Sequence, residues 1–310
     1  MSEIRRSTVT AGQAGQTVAA VIRELVPGLS WSKARELVES GRVRIEGKPA
    51  ADPAQRVREG ERIEVGTAPA EARREPELLV HLDAEVAVVR KPAGLLTVPF
   101  ERTDRDTLVS RARVAIRRLE ASRGVPHNPG LRAVQRLDKE TSGLVVFART
   151  LPAQRHLQRQ FTEHTALRRY LAVVHGKARD AVYDTMLVSD RGDGLRGSSR
   201  GREVRSDARQ AITYVTVEAR LRGATLVSCR LETGRTHQIR IHLAEAGHPL
   251  LGEMVYVRDF AGPWLPAPRL MLHATELGFV HPQTGRELRF TDPPPEDFSA
   301  VVAGLKLSTT

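Results

Sequence analysis

The chain has 310 residues and a mass of 34.2 kDa, room for one large domain or for a small domain followed by a medium one. Cys229 is the single cysteine, which excludes a disulfide framework and a cysteine zinc site, and no run reaches the roughly 18 apolar residues of a membrane span. The formal charge of +11 at pH 7 favours a polyanionic partner, and "MSEIRRSTVTAG" lacks the apolar core of a secretory signal, so a cytoplasmic chain without membrane association is expected.

In chain order, "TVAAVIREL" (17–25) places Val18, Val21, Ile22 and Leu25 at helical spacing. "SKARELVESG" (32–41) reads as a second helix, capped by Ser32, with Glu36 and Glu39 outward and a stop at Gly41. "RVRIEGKPA" alternates Val43 and Ile45 with charged neighbours before a turn at Gly47, and "GERIEV" (60–65) reads as a further strand. Two helices followed by short strands over residues 12–66 make a small module that resembles the S4 RNA-binding domain, on the serine-bracketed helix start, "GRVRIEGK" and "EGERIEV". Trp31 stands where that family commonly has an arginine; it either stacks on a base or packs against the module's core, the second being the expectation. Residues 1–66 carry eleven Lys and Arg against nine Asp and Glu, about +2, so most of the positive charge lies further on.

"TAPAEARREP" (67–76) suits an exposed linker. Beyond it, "VAVVRKPAG" (86–94) is a buried strand ending in a turn, "DTLVSRARVAIRRLEA" (106–121) an amphipathic helix, 143–148 a strand and "LPAQRHLQRQFTEH" (151–164) a basic helix. Strands follow at 168–176, 211–219 and 224–232, then a helix in "THQIRIHLAEAG" (236–247). Strands outnumber helices and several are joined by short turns, which gives an α+β domain on a mostly antiparallel sheet over residues 77–310. "SDRGDGLRGSSRGREVRSDARQ" (189–210), with arginines at 191, 196, 200, 202, 205 and 209, is equally a mobile surface loop or a flexible basic arm that orders on phosphate.

The chemistry concentrates in "VQRLDKETSGLVVFAR" (134–149), where Arg136 and Asp138 flank one leucine just before an apolar strand. A partly buried carboxylate needs a nearby cation to act as a nucleophile at neutral pH, and Arg136 and Arg240 are the candidates. A turn-locking ion pair explains the same residues.

"RLDKETSGLVVFAR" resembles the catalytic motif of the RluA family of pseudouridine synthases, whose signature is Arg-Leu-Asp followed by Thr-Ser-Gly. "RKPAGLLTVP" (90–99), "RRYLAVVHG" (168–176), "LETGRTHQIRIHLAEAGHPLLGE" (231–253) and "LHATELGFVHP" (272–282) resemble its other motifs, in the family's order. The resemblance implies that Asp138 attacks the target uridine and that Arg240 pairs with it. It implies that Tyr170 stacks on the base and takes part in proton transfer, and that Arg136 helps fill the gap left by the flipped nucleotide. Gln135, where histidine is usual, handles RNA near the site; Ile239, or Leu95 and Leu96, line the pocket. Uridine and pseudouridine have the same atoms, so no redox cofactor, metal or energy source is implied; a monomer acting on structured RNA, ribosomal before transfer RNA, is expected. Detaching the base builds positive charge on the sugar, which a carboxylate can capture as in retaining glycosidases, and the nucleotide must first leave its stack.

Two other readings use the same residues. A non-catalytic RNA-binding or ribosome-assembly factor fits Gln135 and the basic loop; a carboxylate glycosidase lacks a second well-placed acid. His237, His242 and His248 do not have metal-site spacing and read as scaffold, Cys229 reads as core, Ser142 as a turn residue, and Glu253, where aspartate is frequent, as a conservative change near a turn.

Overall fold

The computed structural model describes residues 5–39, 42–50, 53–66, 78–101, 103–104, 106–126, 128, 130–199 and 205–306. The chain divides into two compact units, residues 1–76 and 77–310. The segment read as a linker, Gly41, Arg200 and Arg202 lie outside the described residues.

The first unit runs β1 (Arg5–Thr8), α1 (Val18–Leu25), α2 (Trp31–Glu39), β2 (Val43–Ile45), β3 (Lys48–Pro49) and β4 (Arg62–Val65), with sheet order β1-β4-β2-β3. Thr17 caps α1 by accepting the Ala20 N–H at 3.3 Å. Val18, Val21 and Ile22 of α1 close on Ala34, Val38, Val43, Ile45, Ile63 and Val65. Short, alternating strands suffice here because only one face of this sheet is covered. The polar strand β1, paired from Arg5 with Val65, has no apolar alternation and was invisible to periodicity. Two expectations are corrected. The α2 cap is Ser30, whose hydroxyl accepts the Lys33 N–H at 3.2 Å, and Ser32 lies inside the helix. Trp31 is not packed in the core: it is 49% exposed, and the Arg23 guanidinium lies 4.3 Å from its ring centroid.

The second unit contains β5 (Leu79–Leu82), β6 (Val86–Lys91), α3 (Leu108–Ser122), β7 (Arg132–Ala133), β8 (Ser142–Ala148), α4 (Leu151–Thr162), β9 (Leu167–His175), β10 (Ala181–Val188), β11 (Gly197–Ser198), β12 (Arg209–Leu221), β13 (Ala224–Leu231), α5 (Gln238–Glu245), β14 (Leu272–Val280), β15 (Glu287–Thr291) and α6 (Glu296–Gly304). They build an eleven-stranded mixed sheet ordered β11-β10-β12-β13-β9-β14-β8-β6-β5, with β15 on β14 and β7 on β8. The β14–β8 pairing is parallel and the others are antiparallel, which makes the chain α+β, a small unit on a four-stranded sheet followed by a larger one on a mostly antiparallel sheet.

The runs "VAVV" and "LVVFA" are apolar at every position because β6 and β8 are covered on both faces. Ala87, Val89, Val145 and Phe147 meet Leu108, Ala112 and Ile116 of α3, whereas Val86, Val88, Leu144 and Val146 meet Ala153 and Leu157 of α4. The two strands where β8 and β14 run parallel approach closely at Gly143, whose φ is +115° and whose missing Cβ would run into the Ala274 carbonyl. That is the physical reason for glycine in "TSGL". Ser142 beside it is no turn residue: it opens β8, buried, with its hydroxyl 3.0 Å from His273 Nδ1.

The basic loop after β10 is anchored in its described part. The Arg191 side chain is 6% exposed and pairs with Asp193 at 3.0 Å and Glu245 at 3.6 Å, and Gly197–Ser198 adds a short strand to β10. Arg205 pairs with Asp207 at 3.0 Å. With Asp259, 4.0 Å from Arg191, included, the acidic partners of these arginines are 2 to 68 residues away, and composition alone does not report such pairings.

Candidate active site

The segment between β7 and β8 is irregular, and it is held from the turn that follows β6. Thr97 Oγ1 donates to the Leu137 carbonyl at 2.9 Å and accepts the Leu137 N–H at 3.1 Å. The Gly94 N–H donates to the Lys139 carbonyl at 2.9 Å, and Lys91 Nζ donates to the same carbonyl at 2.7 Å and to that of Pro92 at 3.0 Å. Lys91 is buried to 2% exposure, and that burial, partly offset by Glu140 and Asp138, pushes its ammonium down to about 7. "KPAGLLT" is therefore a clamp on residues 137–139, with Asp138 in the middle of the clamped stretch.

Asp138 lies on an open cleft of about 790 Å³. Gln135, Arg136, Tyr170, Ile239 and Arg240 line the same cleft, so the residues singled out in the sequence meet in one place. Leu96 lines it too, whereas Leu95 packs into the core. Arg136 is exposed on the cleft, and among the described residues the ion-pair partners of Asp138 are Arg240 (Nη1 to Oδ2, 3.8 Å) and His237 (Nε2 to Oδ2, 3.9 Å). Tyr170, on β9, is 7% exposed, and burial pushes its hydroxyl up to about 12, with Arg168 opposing.

Arg240 projects from α5, a helix whose residues from Gln238 to Leu243 are all buried. A helix buried all round must satisfy its own polar side chains, and this one does. The Gln238 amide accepts from Thr233 Oγ1 and the Arg235 N–H and donates to the Ile212 carbonyl and Thr213 Oγ1, all between 2.8 and 3.0 Å. His242 sits between Thr213 and Thr185 at 2.9 and 3.0 Å, and burial lowers it to about 4, a neutral scaffold group. Arg240 gives two parallel 2.7 Å hydrogen bonds to Glu253, whose side chain is fully buried. Burial works against both charges, but the mutual pairing outweighs it, holding the Glu253 carboxyl below and the Arg240 guanidinium above its usual range.

Sequence reasoning missed part of this assembly. Glu253, read as a change near a turn, is the anchor of Arg240. His237, read as scaffold, lines the cleft with its backbone in the left-handed region (φ +59°) and its Nδ1 2.8 Å from the Tyr256 hydroxyl. Arg196, from the basic loop, lines the cleft as well. No local pattern marks these three; the position of His237 and Glu253 within the third family motif is the signal the sequence offers, and Arg196 has none. Among the described residues there is no cluster of three or more His, Cys, Asp or Glu side chains able to hold a metal, and no helix is long and apolar enough to cross a membrane. Cys229 is fully buried opposite Tyr170 on β13, and burial pushes its thiol up to about 12.

The RNA pseudouridylate synthase family model matches residues 85–245, and the S4 domain model residues 18–63. The chain belongs to the RNA pseudouridylate synthase family. It is 34% identical to a protein named ribosomal large subunit pseudouridine synthase D of Xanthomonas campestris pv. campestris, over 98% of this chain and 93% of that one. It is 36% identical to the protein of the same name from Neisseria meningitidis serogroup A, over 97% of this chain and 81% of that one. The solved structure of human RNA pseudouridylate synthase domain containing 4 has the same fold, with a TM-score of 0.57 at 22% identity over 71% of this chain and 90% of that one. The protein is thus an RNA pseudouridine synthase, an enzyme that isomerises uridine in RNA, with RNA as its partner.

Proposed function

We propose that the enzyme modifies a uridine of ribosomal RNA, with Asp138 as nucleophile, in the cytoplasm and as a monomer. The observation that carries this reading is Asp138 itself: a carboxylate clamped at a fixed point of a polar cleft, 3.8 Å from a buried, doubly anchored arginine. As base and sugar separate, positive charge builds at C1′ of the ribose, and Asp138 captures it. Arg240 orients the carboxylate; as C5 bonds to C1′, the Asp138–C1′ bond breaks, its electron pair returns to the carboxylate oxygen, and Arg240 stabilises the anion. Tyr170 packs against the face of the detached base, Ile239 closes the apolar side, and Arg136 with Gln135 occupies the space the flipped nucleotide leaves in its stem. The support for ribosomal RNA is the name that the Xanthomonas and Neisseria relatives carry, ribosomal large subunit pseudouridine synthase D. Residues 12–66 form the RNA-binding module, 67–76 the linker and 77–310 the catalytic domain; the module adds contacts to the RNA around the target.

The test is pseudouridine mapping of total RNA from cells with the intact gene, a deletion, and Asp138→Asn. Positions in ribosomal RNA that lose pseudouridine in both altered strains support the reading and name the target. Positions lost in the deletion but kept with Asp138→Asn exclude Asp138 as the nucleophile, and losses confined to transfer RNA exclude the ribosomal substrate.

A further inference from the structure

Negative charge changes hands during the isomerisation. It starts on Asp138. As the carboxylate oxygen bonds to C1′, the C1′–N1 bond breaks and its electron pair leaves with the base, spread over N1, O2 and O4. The uracil anion turns, a pair from its C5–C6 π system bonds C5 to C1′, and the Asp138–C1′ pair returns to the carboxylate. Arg240 serves the Asp138 end of this transfer, held by two 2.7 Å bonds to Glu253 and 3.8 Å from Asp138. The base end calls for a second cation, in a place that water does not screen.

Arg168 has the attributes of that cation. It lines the cleft from β9, two residues before Tyr170, so the two side chains stand on the same face of the strand about 7 Å apart along it. It is 5% exposed, yet among the described residues no carboxylate pairs with it. Its side chain donates from Nη2 to the Glu232 carbonyl, while Nε is buried with no partner. A buried arginine ordinarily holds an acid, so an unpaired one on a cleft wall points to an anion that comes and goes. The guanidinium lies 5.4 Å from the Phe161 ring centroid, and a Cβ at Gly234 would stand 2.5 Å from its Nη1. Phe161 and Gly234 line the same cleft. The titratable groups facing Arg168 are Tyr170 and Arg235: burial, reinforced by Arg235, works against its charge, and Tyr170 favours it. The other cations of the cleft, Arg136, Lys139, Arg196 and Arg235, are exposed, a place suited to phosphates rather than to a base inside the pocket.

We infer that Arg168 is a further catalytic residue: its guanidinium contacts the edge of the uracil whose face Tyr170 covers, and it stabilises the base anion while base and ribose are apart. This rests on the pseudouridine synthase reading of the same cleft. The two arginines then divide the charge transfer between them, Arg240 at the carboxylate and Arg168 at the base. Burial makes Arg168 effective, because a preformed cation out of water needs no reorganisation as the charge arrives. Gly234 belongs to the same device, since any side chain there would push Nη1 aside.

The experiment uses a ribosomal RNA fragment carrying the modified position, made with uridine or with 5-fluorouridine at that position alone. Wild type, Arg168→Met, Arg168→Lys and Gly234→Ala are compared. Fluorine at C5 withdraws charge from the ring and makes the base a better leaving anion. Methionine keeps the contact with Phe161 and removes a charge that no carboxylate pairs with, so the thermal melt stays near wild type. The expected result for Arg168→Met is a loss of about 10²–10³-fold in single-turnover pseudouridine formation at saturating RNA, with Kd near the wild-type value. The loss is smaller for consumption of 5-fluorouridine, and Arg168→Lys recovers part of the rate. Gly234→Ala slows the reaction in the same direction with the charge still present. A weaker Kd with an unchanged saturated rate makes Arg168 a phosphate contact and overturns the assignment. Equal losses on the two RNAs, or no loss on either, overturn it as well. Should Arg168→Met unfold, Gly234→Ala carries the same comparison. A fragment that wild type itself leaves unmodified overturns the underlying function, whereas one that wild type and every variant convert equally overturns this inference alone.

Discussion

Replacing Glu253 by glutamine tests whether Arg240 is held in place by its buried partner. The substitution keeps the volume and removes the charge. Two 2.7 Å bonds from Arg240 end on Glu253, and its Oε1 also accepts the Met254 and Val255 N–H groups at 3.1 and 2.9 Å. Side-chain exposure is 0% for Glu253 and 9% for Arg240, so water cannot replace the lost partner. Breaking a buried pair outright costs about 3–5 kcal/mol. The amide oxygen keeps part of the network, which leaves a cost of about 2–3 kcal/mol, on the scale of hydrogen bonds to charged groups. For a catalytic unit of this size that is a Tm lower by roughly 5–10 °C. Freed of its anchor, the guanidinium no longer has Nη1 fixed toward Asp138, and a shift of about 1 Å lowers kcat by about 10²-fold. Because the Glu253 carboxyl is depressed in the folded state, its stabilisation is complete above the unfolded value near 4.3 and is lost as pH falls through the folded one. The gap in stability between wild type and Glu253→Gln is therefore constant from pH 8 to about 5 and closes in more acid solution. Glu253→Asp keeps the charge and recovers most of the Tm. Thermal melts across pH and single-turnover rates read all of this; a Glu253→Gln enzyme with unchanged Tm and kcat refutes the anchoring role.

Three further outcomes follow from particular residues. Lys91 is lowered to about 7 by burial, so the unfolded chain binds more protons than the folded one from there to about 10.4. Wild type should gain about 2 kcal/mol relative to Lys91→Met between pH 7 and 9, by denaturant unfolding at each pH, and parallel profiles would show that the amine is not perturbed. Gly143→Ala puts a Cβ against the Ala274 backbone at φ +115°, and should lower Tm by more than Gly124→Ala, a positive-φ glycine with open space around it; equal losses would rule out the close approach. Trp31→Ala should weaken RNA binding by about 1–3 kcal/mol, the range for a base-stacking aromatic, without changing the single-turnover rate at saturating RNA; an unchanged Kd in a filter-binding assay makes Trp31 a bystander.

The apolar skeleton was legible because periodicity reports local faces. α1, α3, α4, β6, β8, β9, β12 and β13 fall within a few residues of the expected segments. Two strands escaped for want of a binary pattern: β1 is four polar residues, and β10 carries apolar residues on both faces, with Val182 60% and Met186 39% exposed, so no apolar–polar alternation marks it. β15 and α6 lie beyond the last family motif, which ends at residue 282, and the helix offers only one buried residue, Phe298.

The site divides along the same line. Asp138, Tyr170 and Arg240 were named because each lies within a motif whose order along the chain is itself informative, and all three line one cleft. What the motifs did not convey is which residues support them, because support is a tertiary relation. Lys91 holds the carbonyl of a residue 48 positions away, Glu253 grips an arginine 13 positions back, and His237 faces an acid on another element. Locally, Glu253 reads as a turn residue and His237 as scaffold, and nothing singles out Lys91 within its strand. A buried lysine and a buried glutamate are rare enough that burial is the decisive datum, and burial of a charged side chain is what sequence periodicity cannot report. His237 makes the point most sharply, since its left-handed backbone, unlike the glycines at comparable angles, has no residue-type signature. The left-handed backbone and the 3.9 Å approach to Asp138 exist together only in the folded chain, and that is why a histidine that reads locally as scaffold stands on the cleft wall.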